Sequence, residues 1–235
     1  MTKRFEGQLA LVTGASRGIG AATALALAAE GAHVILTART AGALEDVEEA
    51  IHAAGGTATI APIDLVESDS IARLATAALE RWGKLDILVL NAGTLGSLSA
   101  VPAIDPGEFA RVMTLNVSAQ AALIAAFDPL LRKSAHARVI ALTSSVGRKP
   151  RAYWGTYGAS KAAFETLVQA YGEEVEGVSN IRVAVIDPGA TRTKMRERAY
   201  PGEDPASVKP PEVVADRIVA LLAEDFVSGH TERVG

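Results

Sequence analysis

The sequence predicts an α/β fold in which helices cover both faces of one doubly wound parallel sheet of about six to seven strands. Six short apolar runs rich in β-branched residues indicate buried strands, and they begin at Leu9, His33, Thr57, Asp86, Ala137 and Ile181. Between them lie Ala-rich and Leu-rich stretches with helical periodicity, at residues 21–30, 44–54, 71–82, 109–131 and 156–175, and one more follows at 213–223. Such strict alternation is typical of a parallel sheet that is buried on both sides.

A single domain spanning residues 1–235 accounts for this pattern. The 235 residues are 49% hydrophobic, which suffices for a sizeable core, and no repeat, low-complexity tract or Pro/Gly/Ser-rich linker divides the chain. The richest loop, "RERAYPGEDPASVKPPE" from Arg196, comes late and contains several prolines. Because a long insertion within a domain favours a lid over a domain boundary, residues 194–210 are predicted to form a lid.

Charge and cysteine content exclude several classes of function. The net charge of -4 is spread along the chain, so no nucleic-acid partner is expected, and the four histidines lack metal-ligand spacing, so no metal site is expected. The lack of cysteine excludes disulfides, thiolate nucleophiles and cysteine-based zinc sites, and favours a reducing cytoplasm. The first apolar run breaks at Gly14, too early for a signal peptide, and no apolar run approaches the roughly 20 residues of a membrane span. We therefore expect a soluble, cytoplasmic protein with no membrane partner.

The stretch "TGASRGIG" follows the first predicted strand and leads into an Ala-rich helix. Its glycines would let the backbone turn tightly and approach a pyrophosphate closely, and the helix N-terminus would offer free N–H groups and a positive dipole end. A glycine turn needed only for packing is the alternative, but the flanking strand and helix favour a dinucleotide site in a Rossmann-like fold. The predicted contacts are Gly14, Ser16, Arg17, Gly18, Ile19 and Gly20.

The end of the second predicted strand bears on which nucleotide binds. Where NAD-binding folds place an acid on the ribose hydroxyls, this chain has Ala38 and Arg39. An acid would repel a 2′-phosphate whereas an arginine would bind it, and Arg17 could reach the same phosphate from the glycine turn. NADP(H) is therefore the predicted cofactor, with NAD(H) as the alternative if both arginines are merely solvated.

Further motifs resemble, in their order and spacing, those of the classical short-chain dehydrogenase/reductase family. They are "NAG" from Asn91, "LNV" around Asn116, "SSVGR" from Ser144, "YGASK" from Tyr157 and "PGATRT" from Pro188. The resemblance spans about residues 8–195 and is strongest to uncharacterised bacterial oxidoreductases. It implies a Rossmann-like oxidoreductase that uses NADP(H) to interconvert a small-molecule carbonyl and a secondary alcohol by hydride transfer. It names no substrate.

The resemblance also implies a catalytic tyrosine and lysine, with Tyr157 as general acid/base. Tyr157 and Lys161 are four residues apart and so lie on one face of a helix. There the ammonium can stabilise the tyrosinate and also reach the ribose hydroxyls of the cofactor. The small residues between the two are expected to leave room for cofactor and substrate.

Two more catalytic residues follow from the same resemblance. Ser144, at the family's spacing before Tyr157, would bind the substrate oxygen, and its neighbour Ser145 is the alternative. Asn116 would sit in a helix distortion and hold a water of the proton relay. An asparagine bonded only to backbone is the alternative for that position.

Other positions match the family's cofactor contacts on the adenine side. Asp64 of "IDL" would cap the adenine ring with backbone help from Leu65, unless it is a plain turn residue. Asn91, Ala92 and Gly93 would lie beside the adenine ribose, where small residues avoid a clash.

The motif "PGATRT" matches the family's segment beside the nicotinamide. Pro188 and Gly189 would shape the turn. Thr191 would contact the carboxamide through its backbone, and Thr193 would supply a hydroxyl. Helix capping is the alternative for both threonines.

The oligomeric state and the substrate pocket stay open at this stage. The end "SGHTERVG" is shorter than in most members of the family, so both a homodimer and a homotetramer are expected forms. Tyr153 and Trp154 either line the substrate pocket or simply pack at the entry to a helix.

A nucleotide-sensing or scaffold protein that kept the fold and lost the chemistry is the alternative to an enzyme. The four catalytic residues are all present, which favours the enzyme. A sugar-nucleotide epimerase or dehydratase would need a longer chain and a different glycine spacing.

Overall fold

The computed structural model describes residues 3–67 and 69–235. Its strands form one all-parallel sheet in the order β3-β2-β1-β4-β5-β6-β7. The strands are β1 (Leu9–Thr13), β2 (His33–Ala38), β3 (Thr57–Pro62), β4 (Ile87–Leu90), β5 (Arg138–Leu142), β6 (Arg182–Asp187) and β7 (His230–Arg233). The predicted fold class and the six predicted strands are confirmed, and β7 adds a seventh parallel strand at the edge beside β6.

Helices connect the strands and cover both faces of the sheet. They are α1 (Gly18–Ala29), α2 (Ala41–Ala53), α3 (Ser70–Trp82), α4 (Pro106–Met113), α5 (Ala119–Leu131), α6 (Ser145–Arg148), α7 (Gly155–Val175), α8 (Lys194–Ala199) and α9 (Pro211–Leu222). The helix predicted at 109–131 begins earlier, at Pro106, and a π-helical turn at Thr114–Ser118 divides it into α4 and α5.

The sheet separates two apolar cores because successive strand residues point to opposite faces. Along β1, Ala10 and Val12 belong to the core under α1, α2 and α9, whereas Leu9 and Leu11 belong to the core under α3, α5 and α7. All four side chains are almost fully buried, as expected for a strand covered on both sides.

The stretch Pro106–Leu131 is, within the described part of the chain, the one helical stretch long and apolar enough to cross a membrane, with a mean hydropathy of 1.3 in its most apolar window. It passes on its mean hydropathy, because its longest uninterrupted apolar run covers only residues 121–127. Leu123, Phe127 and Leu131 are fully buried against the sheet. Packing in a protein core thus accounts for the apolar side chains on this face.

The strand order reverses direction at β1, which lies between β2 and β4. In open α/β sheets, ligands bind in the crevice beyond the carboxyl ends of the strands at such a switch point. The loops that follow β1, β4, β5 and β6 all begin at this edge of the sheet, and each carries some of the predicted site residues.

Candidate active site

The turn between β1 and α1 requires glycine at three positions, at two because of the backbone angle and at one because of close packing. Gly14 and Gly18 have φ of 65° and 58°, a region that favours glycine. A Cβ added at Gly20 would lie 2.5 Å from the Asn91 Nδ2 and closer still to the Gly14 carbonyl oxygen. The first turn of α1 carries no acidic residue. The positive end of the helix dipole is therefore not neutralised from within the helix, as an anion site requires.

Thr13 ties this turn to β4 and was missed by the sequence analysis. Its Oγ1 accepts from the backbone N–H groups of Asn91 and Ala92, at 2.9 and 3.0 Å, and donates to the Val89 carbonyl at 3.1 Å. The Asn91 Nδ2 donates to the Thr13 carbonyl at 2.8 Å and to that of Gly14 at 3.2 Å. The Asn91 side chain is thus occupied in holding the turn.

The two arginines predicted to meet a phosphate are exposed. Arg17 directly precedes α1, and Arg39 directly follows Ala38, the last residue of β2. Within residues 3–67 and 69–235, neither arginine takes part in an ion pair. Between the glycines, Ser16 is half-buried and Ile19 packs against the core. Both guanidinium groups are therefore free to bind an anion.

Tyr157 and Lys161 are brought together near the start of α7, where both are buried. The Lys161 Nζ lies 5.8 Å from the centroid of the Tyr157 ring and donates to the Leu142 carbonyl at 2.7 Å. Burial lowers the pKa of Lys161 to about 8. Burial, with a smaller contribution from the Asp187 carboxylate, raises the pKa of Tyr157. At neutral pH the lysine is thus mostly charged and the phenol keeps its proton.

Asn116 lies in the π-helical turn, and its side chain links three segments of the site. Its Oδ1 accepts from the Thr94 backbone N–H and its Nδ2 donates to the Thr94 carbonyl, each at 2.8 Å. The Nδ2 also donates to the Ser160 Oγ at 2.9 Å, and Ser160 in turn donates to the Tyr157 carbonyl at 2.8 Å. Both amide hydrogens of Asn116 are committed, so its side chain cannot also donate to a water.

Gly93 lies where Asn116 and Lys161 meet. A Cβ at Gly93 would lie 3.2 Å from the Asn116 Oδ1 and 3.7 Å from the Lys161 Nζ. The loop after β4 therefore approaches both predicted catalytic residues, and any larger residue at Gly93 would crowd Asn116.

Ser144 immediately precedes α6 and is half-buried, while its alternative Ser145 is the first residue of that helix. The helix α6 packs closely on α7, because a Cβ at Gly147 would lie 2.9 Å from the Ala162 nitrogen. A Cβ at Gly158 would likewise lie 3.0 Å from the Val146 carbonyl oxygen.

The small residues of "YGASK" therefore have a different role from the one expected. Gly158 permits the close approach of α6. Ser160 is fully buried; its Oγ accepts from the Asn116 side chain and donates to the Tyr157 carbonyl. Packing and hydrogen bonding explain these two residues, rather than room for cofactor and substrate.

Glu165, one helical turn after Lys161, is a further buried residue that sequence motifs did not reveal. Its carboxylate accepts from the Thr143 Oγ1 at 2.9 Å and from the Arg148 Nε at 2.5 Å. Thr143 precedes Ser144, and Arg148 ends α6. Glu165 thus fixes both ends of the segment that carries Ser144.

The turn after β6 is held by hydrogen bonds between residues close in sequence. Gly189 has φ of 64°, and its N–H donates to the Asp187 Oδ1 at 2.9 Å. The Thr191 Oγ1 donates to the Pro188 carbonyl at 3.0 Å. The Thr193 Oγ1 accepts from the Arg196 N–H at 3.2 Å and caps α8, which is the role that the alternative interpretation gave it.

The methyl group of Thr193 faces the glycine turn. It lies 3.3 Å from where a Cβ of Gly18 would be. The predicted pyrophosphate segment and the predicted nicotinamide segment are therefore neighbours in the structure.

Known proteins similar to this chain identify its family. Residues 8–204 match the family model described as short chain dehydrogenase. The chain belongs to the short-chain dehydrogenase family. It is 37% identical to the Escherichia coli oxidoreductase YciK over 221 residues, which are 93% of this chain and 87% of YciK.

Solved structures of this family are similar along the whole chain. A short chain dehydrogenase from Pseudomonas syringae has a TM-score of 0.96 and 39% identity, and the match covers 100% of this chain and 97% of that one. A short chain dehydrogenase from Shigella flexneri, complexed with NADP, has a TM-score of 0.93 and 35% identity, and the match covers 100% of this chain and 99% of that one.

Two of the predicted adenine contacts of this dehydrogenase, Asp64 and Leu65, follow β3. The Asp64 Oδ1 accepts from the Val66 N–H at 3.2 Å, as in a turn, and the Leu65 side chain is buried in the core under α3 and α5. Asp64 thus has the local bond of a turn residue, and its adenine contact stays a prediction.

An apolar cluster surrounds Tyr157. Leu95, Val146 and Tyr157 form its buried part, and Leu98, Trp154, Met195 and Ala199 pack against it. The Trp154 ring lies edge-on to Tyr157 at 6.0 Å, whereas Tyr153 is 62% exposed. Of the two aromatic residues left open by the sequence, Trp154 is the one that contacts the dehydrogenase site.

Lys209 is the remaining residue that the sequence analysis missed. Its Nζ donates to the Ala190 carbonyl at 3.3 Å and to the Val234 carbonyl at 3.1 Å. It thereby fixes the turn after β6 to the chain end beyond β7. No pattern around Lys209 indicates this role, because its partners are main-chain carbonyls distant in sequence.

Proposed function

We propose that this dehydrogenase uses NADP(H) to interconvert a carbonyl and a secondary alcohol, with Tyr157 as the general acid/base. The observation that carries the proposal is the buried pair of a protonated phenol and an ammonium at the start of α7. General acid catalysis of carbonyl reduction needs a proton donor that keeps its proton at the working pH. A phenol with a raised pKa meets that requirement.

Each of the other catalytic residues has a proposed role around this phenol. When bound, the reduced nicotinamide would supply the hydride. Tyr157 would donate its proton to the carbonyl oxygen, and the hydroxyl of Ser144 would hydrogen-bond the same oxygen. Lys161 would stabilise the tyrosinate that results, since its ammonium lies 5.8 Å from the centroid of the Tyr157 ring and a nearby cation favours the charged form.

Asn116 has a proposed positioning role that its hydrogen bonds support. Through Thr94 and Ser160 it holds the loop after β4 against the backbone of Tyr157. A relay water at this position would have to be held by the main chain of the π-helical turn. Such turns are frequent at functional sites.

The glycine turn and the segment after β6 fit a dinucleotide. The missing side chains at Gly14, Gly18 and Gly20 leave the first turn of α1 open to a phosphate. We propose the remaining predicted contacts as well, along the loops after β3, β4 and β6. They are Asp64, Leu65, Asn91, Ala92, Gly93, Pro188, Gly189, Thr191 and Thr193.

NADP(H) is the cofactor we propose over NAD(H). Arg17 and Arg39 are exposed and Ala38 brings no negative charge, so a 2′-phosphate would meet two cations and no like charge. The complex of the similar Shigella flexneri protein with NADP supports this choice.

We further propose that residues 194–210 act as a lid. A hydrogen bond joins the two ends of this segment, because the Arg192 N–H donates to the Lys209 carbonyl at 2.8 Å. Met195 and Ala199 on α8 pack on the cluster around Tyr157. We infer that α8 moves away when a substrate enters and that its return would exclude water.

A cytoplasmic homodimer or homotetramer is the form we propose for the protein. Only 33% of the most apolar window of Pro106–Leu131 is buried in the single chain, which leaves apolar surface for a second copy. Light scattering after gel filtration would give the mass, and a monomer would contradict the proposal.

The reaction is tested by following NADPH absorbance with a panel of ketones and aldehydes. We expect reduction of some carbonyls by the wild type and, in Tyr157→Phe, a loss of roughly a thousandfold or more in kcat. NADPH affinity, measured by fluorescence titration, should stay within about threefold, because the phenol donates a proton and contributes little to binding. Wild-type activity in Tyr157→Phe would overturn the assignment.

The cofactor choice is tested by the ratio of kcat/KM for NADPH and NADH. One charge-assisted contact of about 1.4 kcal/mol gives tenfold, so we expect a preference for NADPH of at least about tenfold at low salt. Arg39→Ala should reduce it, and the double variant Ala38→Asp, Arg39→Ala should shift it toward NADH. Salt should narrow the preference by screening. Equal use of NADH by the wild type would contradict the NADP(H) proposal.

A further inference from the structure

Six apolar side chains pack around Tyr157. Leu95 and Val146 are almost fully buried beside it, and Leu98, Trp154, Met195 and Ala199 pack against these residues. These residues come from the loop after β4, from α6, from the entry to α7 and from α8. A substrate whose carbonyl reaches the Tyr157 hydroxyl must displace or lie against these groups.

Three cationic groups near this cluster are engaged in contacts within the chain. The Arg196 guanidinium is paired with the Glu203 carboxylate and lies 3.7 Å from the centroid of the Tyr200 ring. The Arg151 guanidinium donates to the Tyr200 hydroxyl at 3.2 Å. The Lys161 ammonium donates to the Leu142 carbonyl. The side chains of the cluster themselves offer no cation to a carboxylate or phosphate on the substrate, and such a group would lose its hydration on burial against them, which is unfavourable.

Trp154 is the largest side chain of the cluster and is held from several directions. Its ring lies 6.0 Å from that of Tyr157 and 5.8 Å from that of Tyr200 on the lid. Its backbone forms an isolated bridge with Ser99 in the loop after β4. A rigid aromatic wall at this place offers a flat apolar contact area at little cost in side-chain entropy.

We infer that this dehydrogenase acts on a neutral, apolar carbonyl compound or secondary alcohol, preferably an aromatic one, and that Trp154 determines this specificity. The inference rests on the proposed function, since it describes the substrate of the same site. It excludes substrates that carry a carboxylate or phosphate next to the reacting carbon.

The charge part of the inference is tested with methyl benzoylformate and benzoylformate. The two probes share the same ketone and phenyl ring, and they differ in an ester against a carboxylate. With saturating NADPH we expect kcat/KM for the ester to exceed that for the acid by at least about tenfold. Equal or greater kcat/KM for benzoylformate would overturn the inference and leave the proposed function intact.

If neither probe is reduced, activity on the rest of the carbonyl panel shows whether the substrate inference alone or the proposed function too is wrong. Reduction of other carbonyls in the panel but of neither probe would overturn the inference alone. Reduction of no carbonyl at all, by a protein that binds NADPH, would overturn the proposed function as well.

The role of Trp154 is tested by Trp154→Ala, with Tyr153→Ala as its matched control. Both variants remove an aromatic ring at the entry to α7, but Tyr153 is 62% exposed and does not belong to the cluster. We expect Trp154→Ala to lower kcat/KM for methyl benzoylformate about tenfold or more, mainly through KM. Butanedione, which has no ring, should lose less than about threefold, and Tyr153→Ala should match the wild type for both probes.

A second measurement separates specificity from misfolding. NADPH affinity of Trp154→Ala should stay within about twofold of the wild type, because Trp154 lies in the apolar cluster and not in the glycine turn. Equal losses for methyl benzoylformate and butanedione, with NADPH affinity unchanged, would overturn Trp154 as a specificity residue. So would full activity of Trp154→Ala on the ester.

Discussion

Two sides of the site are held by different kinds of interaction. The side proposed to bind the cofactor, here called the cofactor side, comprises residues 13–20 with 89–93 and is fixed by hydrogen bonds between Thr13, Asn91 and nearby backbone groups. The side proposed to bind the substrate, here called the substrate side, comprises residues 151–157 with 192–209. It is held by aromatic and cation–π contacts around Trp154 and Tyr200 and by the ion pair of Arg196 with Glu203. The cofactor side has no room for a larger side chain at Gly20. The substrate side depends on contacts between side chains, which can move apart.

This difference predicts that the two sides tolerate substitutions to different degrees. Hydrogen bonds with fixed geometry allow few substitutions, because a buried group that loses its partner costs about 1–3 kcal/mol. Apolar contacts between side chains accept replacements of similar size more readily. We therefore expect substitutions to cost more stability on the cofactor side than on the substrate side.

The largest effect is expected on the cofactor side, for Gly20→Ala. The new Cβ would lie 2.5 Å from the Asn91 Nδ2, so the glycine turn must move. We expect a loss of about 3 kcal/mol in the free energy of unfolding, measured by urea titration, and at least a hundredfold loss in NADPH affinity.

Gly42→Ala in α2 is the matched control for Gly20→Ala. A Cβ there would have no neighbour closer than the Glu45 Oε2 at 4.0 Å. Alanine is a better helix former than glycine, so this variant should gain up to about 1 kcal/mol. A Gly20→Ala protein as stable as Gly42→Ala would contradict the packing argument.

A smaller loss is expected for Glu165→Ala, which acts beneath the substrate side. It leaves Arg148 and Thr143 without their partner, and the side chain of Arg148 is 42% exposed, so water replaces part of what is lost. We expect a loss of about 2–3 kcal/mol in the free energy of unfolding. The kcat should fall as well, because Ser144 is no longer held, while NADPH affinity stays unchanged.

Two variants sharpen the test of Glu165. Glu165→Gln keeps an acceptor for Thr143 and should recover part of kcat. Glu173→Ala removes an exposed carboxylate from the same helix and should change stability by less than about 0.5 kcal/mol. Loss of NADPH affinity equal to the loss of kcat in Glu165→Ala would mean that the network supports the whole fold rather than Ser144.

The fold could be predicted from local patterns, with one exception. β1 to β6 are apolar runs, but β7 reads "HTER" and is half-exposed, so its assignment depends on pairing with β6. The glycine turn was predictable because the positive φ angles of Gly14 and Gly18 demand that residue type.

Other parts of the site depend on contacts that no local pattern encodes. Trp154 and Tyr153 are adjacent aromatic residues, and only the φ of 72° at Tyr153 and the packing of α7 decide which ring turns inward. Thr13 and Glu165 acquire their roles from partners distant in sequence. The motif residues were found, but their supporting hydrogen bonds were not.

Lys161 lies between the two sides, and its buried charge gives a pH test. Burial lowers its pKa to about 8, against about 10.5 for an unfolded lysine, so the unfolded chain binds more protons between these pH values. Stability of the wild type relative to Lys161→Met should therefore rise by about 1–2 kcal/mol from pH 7 to pH 9.5. Urea titrations of both proteins at several pH values measure this difference. A constant or falling difference would contradict a lowered pKa.

The smallest effect is expected for Tyr200, which lies within the proposed lid at residues 194–210 and contacts Trp154 and Arg151. Tyr200→Phe keeps the ring beside Trp154 and under Arg196, and removes only the acceptor of the exposed Arg151. An exposed hydrogen bond of this kind contributes less than about 1 kcal/mol, which corresponds to at most about a fivefold change in the opening equilibrium. Amide hydrogen exchange across 192–208 should therefore speed up by up to about fivefold in Tyr200→Phe and more in Tyr200→Ala, while exchange in β1 stays constant.

NADPH should slow the same amides in the wild type if the segment closes over bound cofactor. Tyr153→Phe, which removes an exposed hydroxyl outside the cluster, should leave the segment unchanged. Unaltered exchange in Tyr200→Ala, or no response of the wild type to NADPH, would show that residues 194–210 are a fixed part of the fold and not a lid.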